Sequence, residues 1–387
     1  RLERHEGHLL NWYDIQTLAP LRPRYVSTVD SGNLLGALVT LEQGLGAMMR
    51  TDLLDRRASA GLYDAGDILR QAIAADPSPA ADAEAVRIML LACDARPDRI
   101  VDLIRTLRSM KRMVVEANAT LPTADRDAGG VAARSRQVQE QLAVWLAVID
   151  RYLVWIEILG ERSAEDIARN DPSALPAIIQ ALTRAPSLHD LARGELAWIE
   201  PLRRIRVRTA REDVGVLTWI NRVFAAFDRA KWLAGEMLAS GERLVNDVHE
   251  LSGSISMRFL YDKGRRLFSI GYNVTEGRLD HAYYDLLASE ARLGSFIAIA
   301  RGDVPPEHWF AMNRPYGTLY HRQVLLSWTG TMFEYLMPLL FQRAYPRSLL
   351  DRAMREAVVA QISYGRVHHT PWGVSESASG DLDISQT

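Results

Sequence analysis

The stretch "DSGNLLGALVTLEQGL" at 30–45 has the clearest helical pattern of the chain and sets the fold class. Its leucines recur every three or four residues and form one stripe, made of Leu34, Leu38, Leu41 and Leu45. That spacing places them on one face of an α-helix. Asp30 or Ser31 is the expected N-cap, because a short side-chain oxygen can accept a hydrogen bond from a first-turn N–H group.

Helical patterns continue outward from this stretch over most of the chain. They predict helices near 62–75, 79–94 and 97–119, through Trp145 and Trp155, and near 212–250, 281–301, 329–343 and 347–364, the last ending at Gly365. A Gly-containing break is expected at 123–130, and "RAPSLHD" at 184–190 has the Pro and Ser typical of a helix start. One β-hairpin is expected in "MRFLYDKGRRLFSIGYNV" at 257–274, around the turn Asp262-Lys263-Gly264.

These elements, without a repeat or a parallel-strand signal, predict an all-α fold. We expect an (α/α)6 toroid barrel with one short β-hairpin and an extra helical region, with helical bundles and irregular all-α folds as alternatives. Residues 1–387 are expected to form a single domain. Its helix-rich part is 1–250, and its aromatic-rich, site-bearing part is 251–387.

Composition excludes several classes of function. The net charge of −2 argues against nucleic-acid binding, and none of the three lysines follows a glycine as in a P-loop. Cys93 is the single cysteine, which excludes an internal disulfide and a multi-cysteine zinc site. No apolar run is long enough to cross a membrane, and "RLERHEGHLL" is not a signal peptide. The histidines of "HEGH" lack zincin spacing, and neither a metal nor an organic cofactor is expected.

The aromatic residues are unevenly distributed along the chain. Nine of the thirteen tyrosines lie between Tyr261 and Tyr364, together with Trp309, Trp328 and Trp372. Each one alone is typical of helix packing, but the cluster also contains many acidic, amide and arginine side chains. Aromatic faces stack on sugar rings and polar groups bind hydroxyls, so this combination indicates a carbohydrate site.

Glycoside cleavage needs two carboxyl groups, and the aromatic-rich part offers Glu290, Glu334 and Glu376. Glu290 lies in "YDLLASEARLGSF" at 284–296, where we expect it in the middle of a helix. A buried carboxylate there must be paired or functional. Asp14 and Asp30 add candidates near the N-terminus, with an Asx turn and a helix cap as their structural interpretations.

Four segments in a fixed order carry a family resemblance. They are "NWYD…PRYVSTVDSGNL", "RLFSIGYNVTEGRLDHAYYDLLASEARLGSFIAIARGDVP", "LLSWTGTMFEYLMPLL" and "PWGVSES". They resemble the middle, glycoside-hydrolase-like ("glucoamylase-like") domain of cyclic β-1,2-glucan synthases, which is related to bacterial endo-β-1,2-glucanases. The resemblance covers most of the chain and is densest at 8–45 and 255–377.

The resemblance implies a retaining transglycosylase with an (α/α)6 barrel. Such a domain cleaves linear β-1,2-glucan and cyclises it through a covalent glycosyl-enzyme intermediate. Matching motifs imply that Glu290 is the nucleophile and Glu376 the acid/base, whereas the residues alone do not assign the two roles. The resemblance also implies that the substrate is bound by Asp30, Tyr272, Tyr284, Arg292, Trp328, Glu334 and Trp372.

The resemblance further implies a cytoplasmic domain of an inner-membrane protein, whose partners are the other domains of a larger synthase. It also implies that 1–387 is a catalytic domain truncated at the C-terminus. One departure is that Ser379-Gly380 stand where the family has a Tyr-Asn pair after the "SES" motif. Two other functions stay open: an endo-β-1,2-glucanase, in which water replaces the acceptor hydroxyl, and a non-catalytic glucan-binding or scaffold domain.

Overall fold

The computed structural model describes residues 2–75, 91, 97–118, 131–169, 171–209, 213–319 and 321–375. These residues are mostly helical, which confirms the all-α class. They divide into two compact units, unit 1 with 1–44 and 244–387, and unit 2 with 45–243. The expectation of a single catalytic domain over 1–387 stays a prediction. No helix among the described residues is long and apolar enough to cross a membrane.

The helices of the described residues follow in chain order. They are α1 (Thr28–Arg50), α2 (Arg56–Ala75), α3 (Ile100–Asn118), α4 (Val131–Val148), α5 (Val154–Leu159), α6 (Ala164–Ala168), α7 (Leu175–Thr183), α8 (Leu188–Arg193), α9 (Ile199–Thr209), α10 (Val214–Gly253), α11 (Ala291–Ala300), α12 (Glu307–Ala311), α13 (Met332–Leu336) and α14 (Leu349–His368). A π-helical turn at Ile149–Leu153 joins α4 to α5.

Most of the predicted helices are confirmed, including the long one through Trp145 and Trp155 and the start at Ser187, whose side chain forms a capping box with Asp190. The predicted helix 79–94 lies almost entirely outside the described residues, and the predicted break 123–130 lies wholly outside them.

The predicted end of the last helix at Gly365 is wrong, since α14 continues to His368 and ends with the left-handed His369. Gly365 instead lets the following loop approach, because a Cβ there would lie 2.6 Å from the Thr370 carbonyl oxygen.

The strands are short and form four small antiparallel sheets among the described residues. They are β1 (Arg4–His5), β2 (His8–Leu9), β3 (Tyr25–Ser27), β4 (Tyr261–Asp262), β5 (Leu267–Phe268), β6 (Gly271–Asn273), β7 (Arg278–Leu279), β8 (Tyr316–Leu319) and β9 (Arg322–Leu325). The predicted hairpin is confirmed as β4–β5, but it is accompanied by β1–β2, β8–β9 and a β3–β6–β7 sheet. Strands of two to four residues are too short to show an alternating pattern in the sequence.

The N-terminal half of helix α1 buries part of the predicted leucine stripe, since Leu38 is 8% exposed and Leu34 packs against the same core, and it buries Leu35 as well. Leu41 is 45% exposed, whereas Leu35 is fully buried and lies on the same face as Gly32 and Gly36. A Cβ at Gly32 would lie 2.7 Å from the Cα of Gly294, so α1 and α11 are in direct backbone contact. Glycine rather than leucine therefore determines how these two helices of unit 1 pack.

Unit 2 has its own aromatic core. The rings of Trp155 and Trp198 are stacked with 4.9 Å between their centroids, and Phe227 meets both of them edge-on. Both tryptophans are almost fully buried, so these rings supply core packing within this unit.

Candidate active site

Glu290 lies at the N-cap position of α11, directly before its first turn. The side chain is 7% exposed, and both carboxylate oxygens accept hydrogen bonds. Asn33 Nδ2 donates to Oε1 over 2.6 Å, and Ser289 Oγ donates to Oε2. The carboxylate is thus held in one orientation by two side-chain donors at the positive end of a helix.

The prediction that Glu290 lies in the middle of a helix over 281–301 is wrong, since the helix begins at Ala291. Two of the residues before it, Tyr283 and Tyr284, pair with a neighbouring segment instead of forming a helical turn. Tyr283 forms a β-bridge with Ser269, and the Tyr284 N–H donates to the Phe268 carbonyl over 3.2 Å. These long-range contacts override the local helical pattern of the "DLLAS" stretch.

The contact between α1 and α11 explains why Asn33 reaches Glu290. Gly32 touches Gly294 in the first turns of α11, and Asn33 follows Gly32 directly. Without a Cβ on either glycine the two backbones approach closely enough for the short Asn33 side chain to bridge them. The Asn33 Oδ1 atom is buried and has no hydrogen-bond partner among the described residues.

Glu334 on α13 is buried, and its carboxylate is fully hydrogen-bonded. Oε2 accepts bonds from Ser327 Oγ, Thr329 N and Thr329 Oγ1 over 2.6, 3.0 and 2.8 Å, while Oε1 accepts one from Ser289 N over 3.1 Å. Burial by itself would raise the pKa of the Glu334 carboxyl, but these donors outweigh it and lower that pKa. Glu334 is therefore an ionised anchor for the segments around it.

Arg292 is 1% exposed, so its charged side chain lies in the interior of unit 1. Its guanidinium donates to the backbone carbonyls of Glu334 and Tyr335, which ties α11 to α13. Burial lowers the pKa of the guanidinium to about 10, opposed by the nearby Glu334 charge. The expectation that Arg292 binds substrate stays a prediction, and in this structure both of its terminal guanidinium nitrogens are bonded to backbone carbonyls.

Tyr284 and Trp328 form an aromatic wall beside Glu290. Their rings stack with 5.4 Å between centroids, and Trp328 is 51% exposed whereas Tyr284 is buried. Burial raises the pKa of the Tyr284 hydroxyl, and the charges of Glu290 and Asp30 raise it further. Asp30 also lies three residues before Asn33 on α1, and Asn33 is the side chain that donates to Glu290.

Asp30 is not the helix cap, because α1 begins at Thr28. The Ser27 hydroxyl accepts the bond from the Asp30 N–H over 3.3 Å, and the exposed Asp30 carboxylate has no bond from the described residues. Asp14 does form the expected Asx turn, in which Oδ1 accepts bonds from the N–H groups of Gln16 and Thr17.

Two other predicted site residues have different surroundings. The Tyr272 ring stacks on His5 and meets Phe259 edge-on, each at 5.3 Å between centroids. Its ring is therefore engaged in aromatic packing with these two residues. Trp372 is 52% exposed on a loop that Gln361 fixes through the Gly373 and Val374 N–H groups. Glu376 lies outside the described residues.

Sequence reasoning missed Asn33 and Ser289, which donate the two bonds to Glu290. Ser289 directly precedes the glutamate, and Asn33 lies one helical turn after Asp30 in a candidate motif. Their signal was a hydrogen-bonding side chain adjacent to a candidate residue. That these two side chains bond to Glu290 became visible only with the fold.

Comparison with known proteins gives one clear match. The chain is 31% identical over 390 aligned residues to the cyclic beta-(1,2)-glucan synthase NdvB of Rhizobium meliloti. The alignment covers 100% of this chain and 11% of the length of that protein. No model of a protein family matches the chain. The resemblance inferred from the four motifs is confirmed, and the chain is homologous to one segment of a cyclic β-(1,2)-glucan synthase.

Proposed function

We propose that this chain is a retaining transglycosylase domain that cleaves linear β-1,2-glucan and cyclises it. Glu290 is the nucleophile, Glu376 is the acid/base, and the helices form an (α/α)6 barrel. The observation that carries the proposal is the Glu290 carboxylate, oriented by two donors, with the exposed Trp328 bonded through its backbone N–H to Leu287, three residues before Glu290.

The surroundings of Glu290 favour a nucleophile over a proton donor. Asn33 Nδ2 and Ser289 Oγ both donate to it, and an ionised carboxylate accepts both bonds at once. The start of α11 adds the partial positive charge of a helix N-terminus. A carboxylate whose two oxygens are both held in a fixed direction is suited to attack an anomeric carbon.

The chemistry balances with two carboxyl groups and one acceptor. A Glu290 oxygen forms a bond to the anomeric carbon while the glycosidic C–O bond breaks, and Glu376 gives its proton to the leaving oxygen. An acceptor hydroxyl then attacks the same carbon and gives its proton to Glu376, and the bond to Glu290 breaks. When the acceptor belongs to the non-reducing end of the same chain, the product is a ring.

The aromatic side chains support a glucan as the substrate. Trp328 presents a half-exposed indole beside Glu290, and its other side rests on Tyr284. Trp372 is equally exposed, and its loop contacts the start of α13 where Val374 accepts a bond from the Met332 N–H over 2.8 Å. Exposed indoles at a carboxylate are suited to stack on pyranose rings.

The homologous synthase, by its name, makes cyclic β-(1,2)-glucan and is much longer than this chain. We therefore extend the proposal to a cytoplasmic domain that works beside the other domains of a larger membrane-bound synthase. The proposed barrel spans 1–387 as one catalytic domain. The described site residues all lie in unit 1.

The test is to incubate the protein with long linear β-1,2-glucan and resolve the products by mass. Products lighter than linear chains by one water would demonstrate ring closure. Linear oligosaccharides alone would instead indicate an endo-β-1,2-glucanase, and binding without any product would indicate a non-catalytic glucan-binding domain.

Variants then test the two assigned roles. Glu290→Gln and Glu376→Gln should each lower turnover by about 10²–10⁴-fold while glucan still binds. Glu276→Gln is the matched control, since Glu276 is an exposed partner of Arg278 and should leave turnover unchanged. Turnover near that of the unmodified chain in either variant would refute the role of that glutamate.

A further inference from the structure

A cavity in unit 1 is lined in part by Asp30, which lies three residues before Asn33, the donor to Glu290. It has a volume of about 330 Å³, within the range of small-molecule sites. Its walls come from the segment after β2 and from the first turns of α1, and they are His8, Leu9, Leu10, Asn11, Trp12, Asp30, Ser31, Leu34 and Ile255. Apart from Asp30, none of these residues has a place in the proposed reaction.

The polar side chains of this cavity differ in whether their hydrogen-bonding groups already have partners. His8 is buried, with Nδ1 bonded to Ser31 Oγ over 2.7 Å and Nε2 bonded to the Ser256 carbonyl over 2.8 Å. Because a carbonyl only accepts, Nε2 carries the proton and Nδ1 accepts from the serine hydroxyl. His8 and Ser31 are thus occupied with each other and form the fixed floor of the cavity.

Asp30 and Asn11 keep free hydrogen-bonding groups. The Asp30 carboxylate has no bond from the described residues and can accept. Asn11 Oδ1 accepts from the Ser27 N–H over 3.1 Å, which orients the amide, and its NH₂ group has no partner among the described residues. A free acceptor and a free donor in one cavity match the hydroxyl groups of a sugar.

Trp12 supplies an apolar surface beside these groups. The indole is 49% exposed, and it rests on Tyr25 with 6.3 Å between ring centroids. Tyr25 is itself fixed by a hydrogen bond from its hydroxyl to Asp280. Trp12 is therefore a supported ring with free surface, which is the arrangement needed for stacking on a sugar.

The cavity is linked to the candidate nucleophile through the first turns of α1. Asp30 and Asn33 lie three residues apart on α1 and so share one side of the helix, and Asn33 donates to Glu290 over 2.6 Å. Asp30 and Glu290 also act on the same Tyr284 hydroxyl. A sugar bound in the cavity would therefore lie close to the sugar under attack.

We propose that this cavity is a glucosyl-binding subsite in which Trp12 stacks on the ring while Asp30 and Asn11 bind its hydroxyls. The proposal rests on the proposed function, since the bound unit belongs to the glucan that Glu290 cleaves. It assigns Trp12 and Asn11 to substrate recognition, with no part in bond cleavage.

The experiment is titration calorimetry with linear β-1,2-linked gluco-oligosaccharides, using Trp12→Ala, Trp12→Phe and Asp30→Asn. Loss of the indole should weaken binding about tenfold, a change within the range of one aromatic contact. Trp12→Phe should keep most of the affinity, and Asp30→Asn should weaken binding several-fold. Trp232→Ala, which removes a 66% exposed indole from α10 outside the cavity, is the control and should bind as the unmodified protein does.

Thermal unfolding of each variant separates a loss of contact from a loss of folding. If the unmodified protein binds and cleaves glucan while Trp12→Ala and Asp30→Asn bind equally well, the subsite is refuted and the proposed function stands. If the unmodified protein neither binds nor cleaves glucan, the proposed function fails and the subsite falls with it.

Discussion

Substituting Gly32 by alanine tests the helix contact that positions Asn33 against Glu290. The new Cβ would lie 2.7 Å from the Cα of Gly294 and 3.1 Å from its backbone nitrogen. Carbon atoms in contact are normally separated by about 3.5–4.0 Å. Since both contacted atoms belong to the backbone, α1 and α11 must move apart by roughly 1 Å.

This separation has a cost for stability and a larger one for catalysis. Overpacking costs about 1–3 kcal/mol, and the better helix propensity of alanine returns roughly 0.5–1 kcal/mol. We expect a net loss of about 1–2 kcal/mol, which lowers the Tm of a unit of this size by roughly 2–8 °C. The 2.6 Å bond from Asn33 to Glu290 would stretch beyond hydrogen-bonding distance, so turnover should fall about 10–100-fold.

The control is Gly44→Ala on the same helix. A Cβ at Gly44 meets nothing within 4 Å, so only the helix propensity changes and the Tm should rise slightly with turnover unchanged. Both variants are compared by calorimetry and by glucan turnover. If Gly32→Ala is as stable and as active as Gly44→Ala, the backbone contact does not position the nucleophile and the reasoning is wrong.

Two more predictions concern buried polar groups. In Glu334→Gln the new amide cannot accept from both the Ser289 and the Thr329 donors, so the Tm should fall by several degrees. The control is Glu356→Gln, which removes one charge of the ion pair with Arg322 and should change stability by less than about 1 kcal/mol. Equal Tm values for the two variants would contradict the anchoring role of Glu334. Burial lowers the pKa of both His8 and His308 below about 6.5, so the unfolded state binds more protons under mildly acidic conditions. Stability should therefore be fully present above about pH 6.5 and decline as the pH falls below it, and a Tm that stays constant from about pH 7.5 to 5 would show that these histidines do not titrate as proposed.

The helical part of the fold was predictable because it depends on local patterns. The long helix α10 and the capping box at Ser187 are visible as periodicity and as a cap signal. The packing face of α1 was only partly predictable from its leucines, since Leu38 is buried as expected whereas Leu41 is exposed. It depends on Gly32 meeting Gly294, a contact between residues distant in the chain that no local pattern records.

The candidate site was predictable to a similar extent. Motifs identified Glu290, Trp328 and Asp30, and the structure groups them around Tyr284. The same motifs assigned Arg292 to substrate, although its guanidinium is occupied by backbone carbonyls in the interior. A motif shows that a charged side chain is required, but only the fold shows whether it faces a ligand or another part of the protein.

The buried polar residues around Glu290 form a connected support for it. Arg292 ties α11 to the Glu334 and Tyr335 carbonyls, and the Glu334 carboxylate holds the Ser289 N–H. Ser289 has a φ of +49°, a left-handed conformation that costs a non-glycine residue roughly 1 kcal/mol and that its bond to Glu334 helps to maintain. From that position Ser289 Oγ donates to Glu290. The buried charges of Arg292 and Glu334 thus have a common role. They fix the backbone around Ser289, and Ser289 in turn holds the Glu290 carboxylate in one direction.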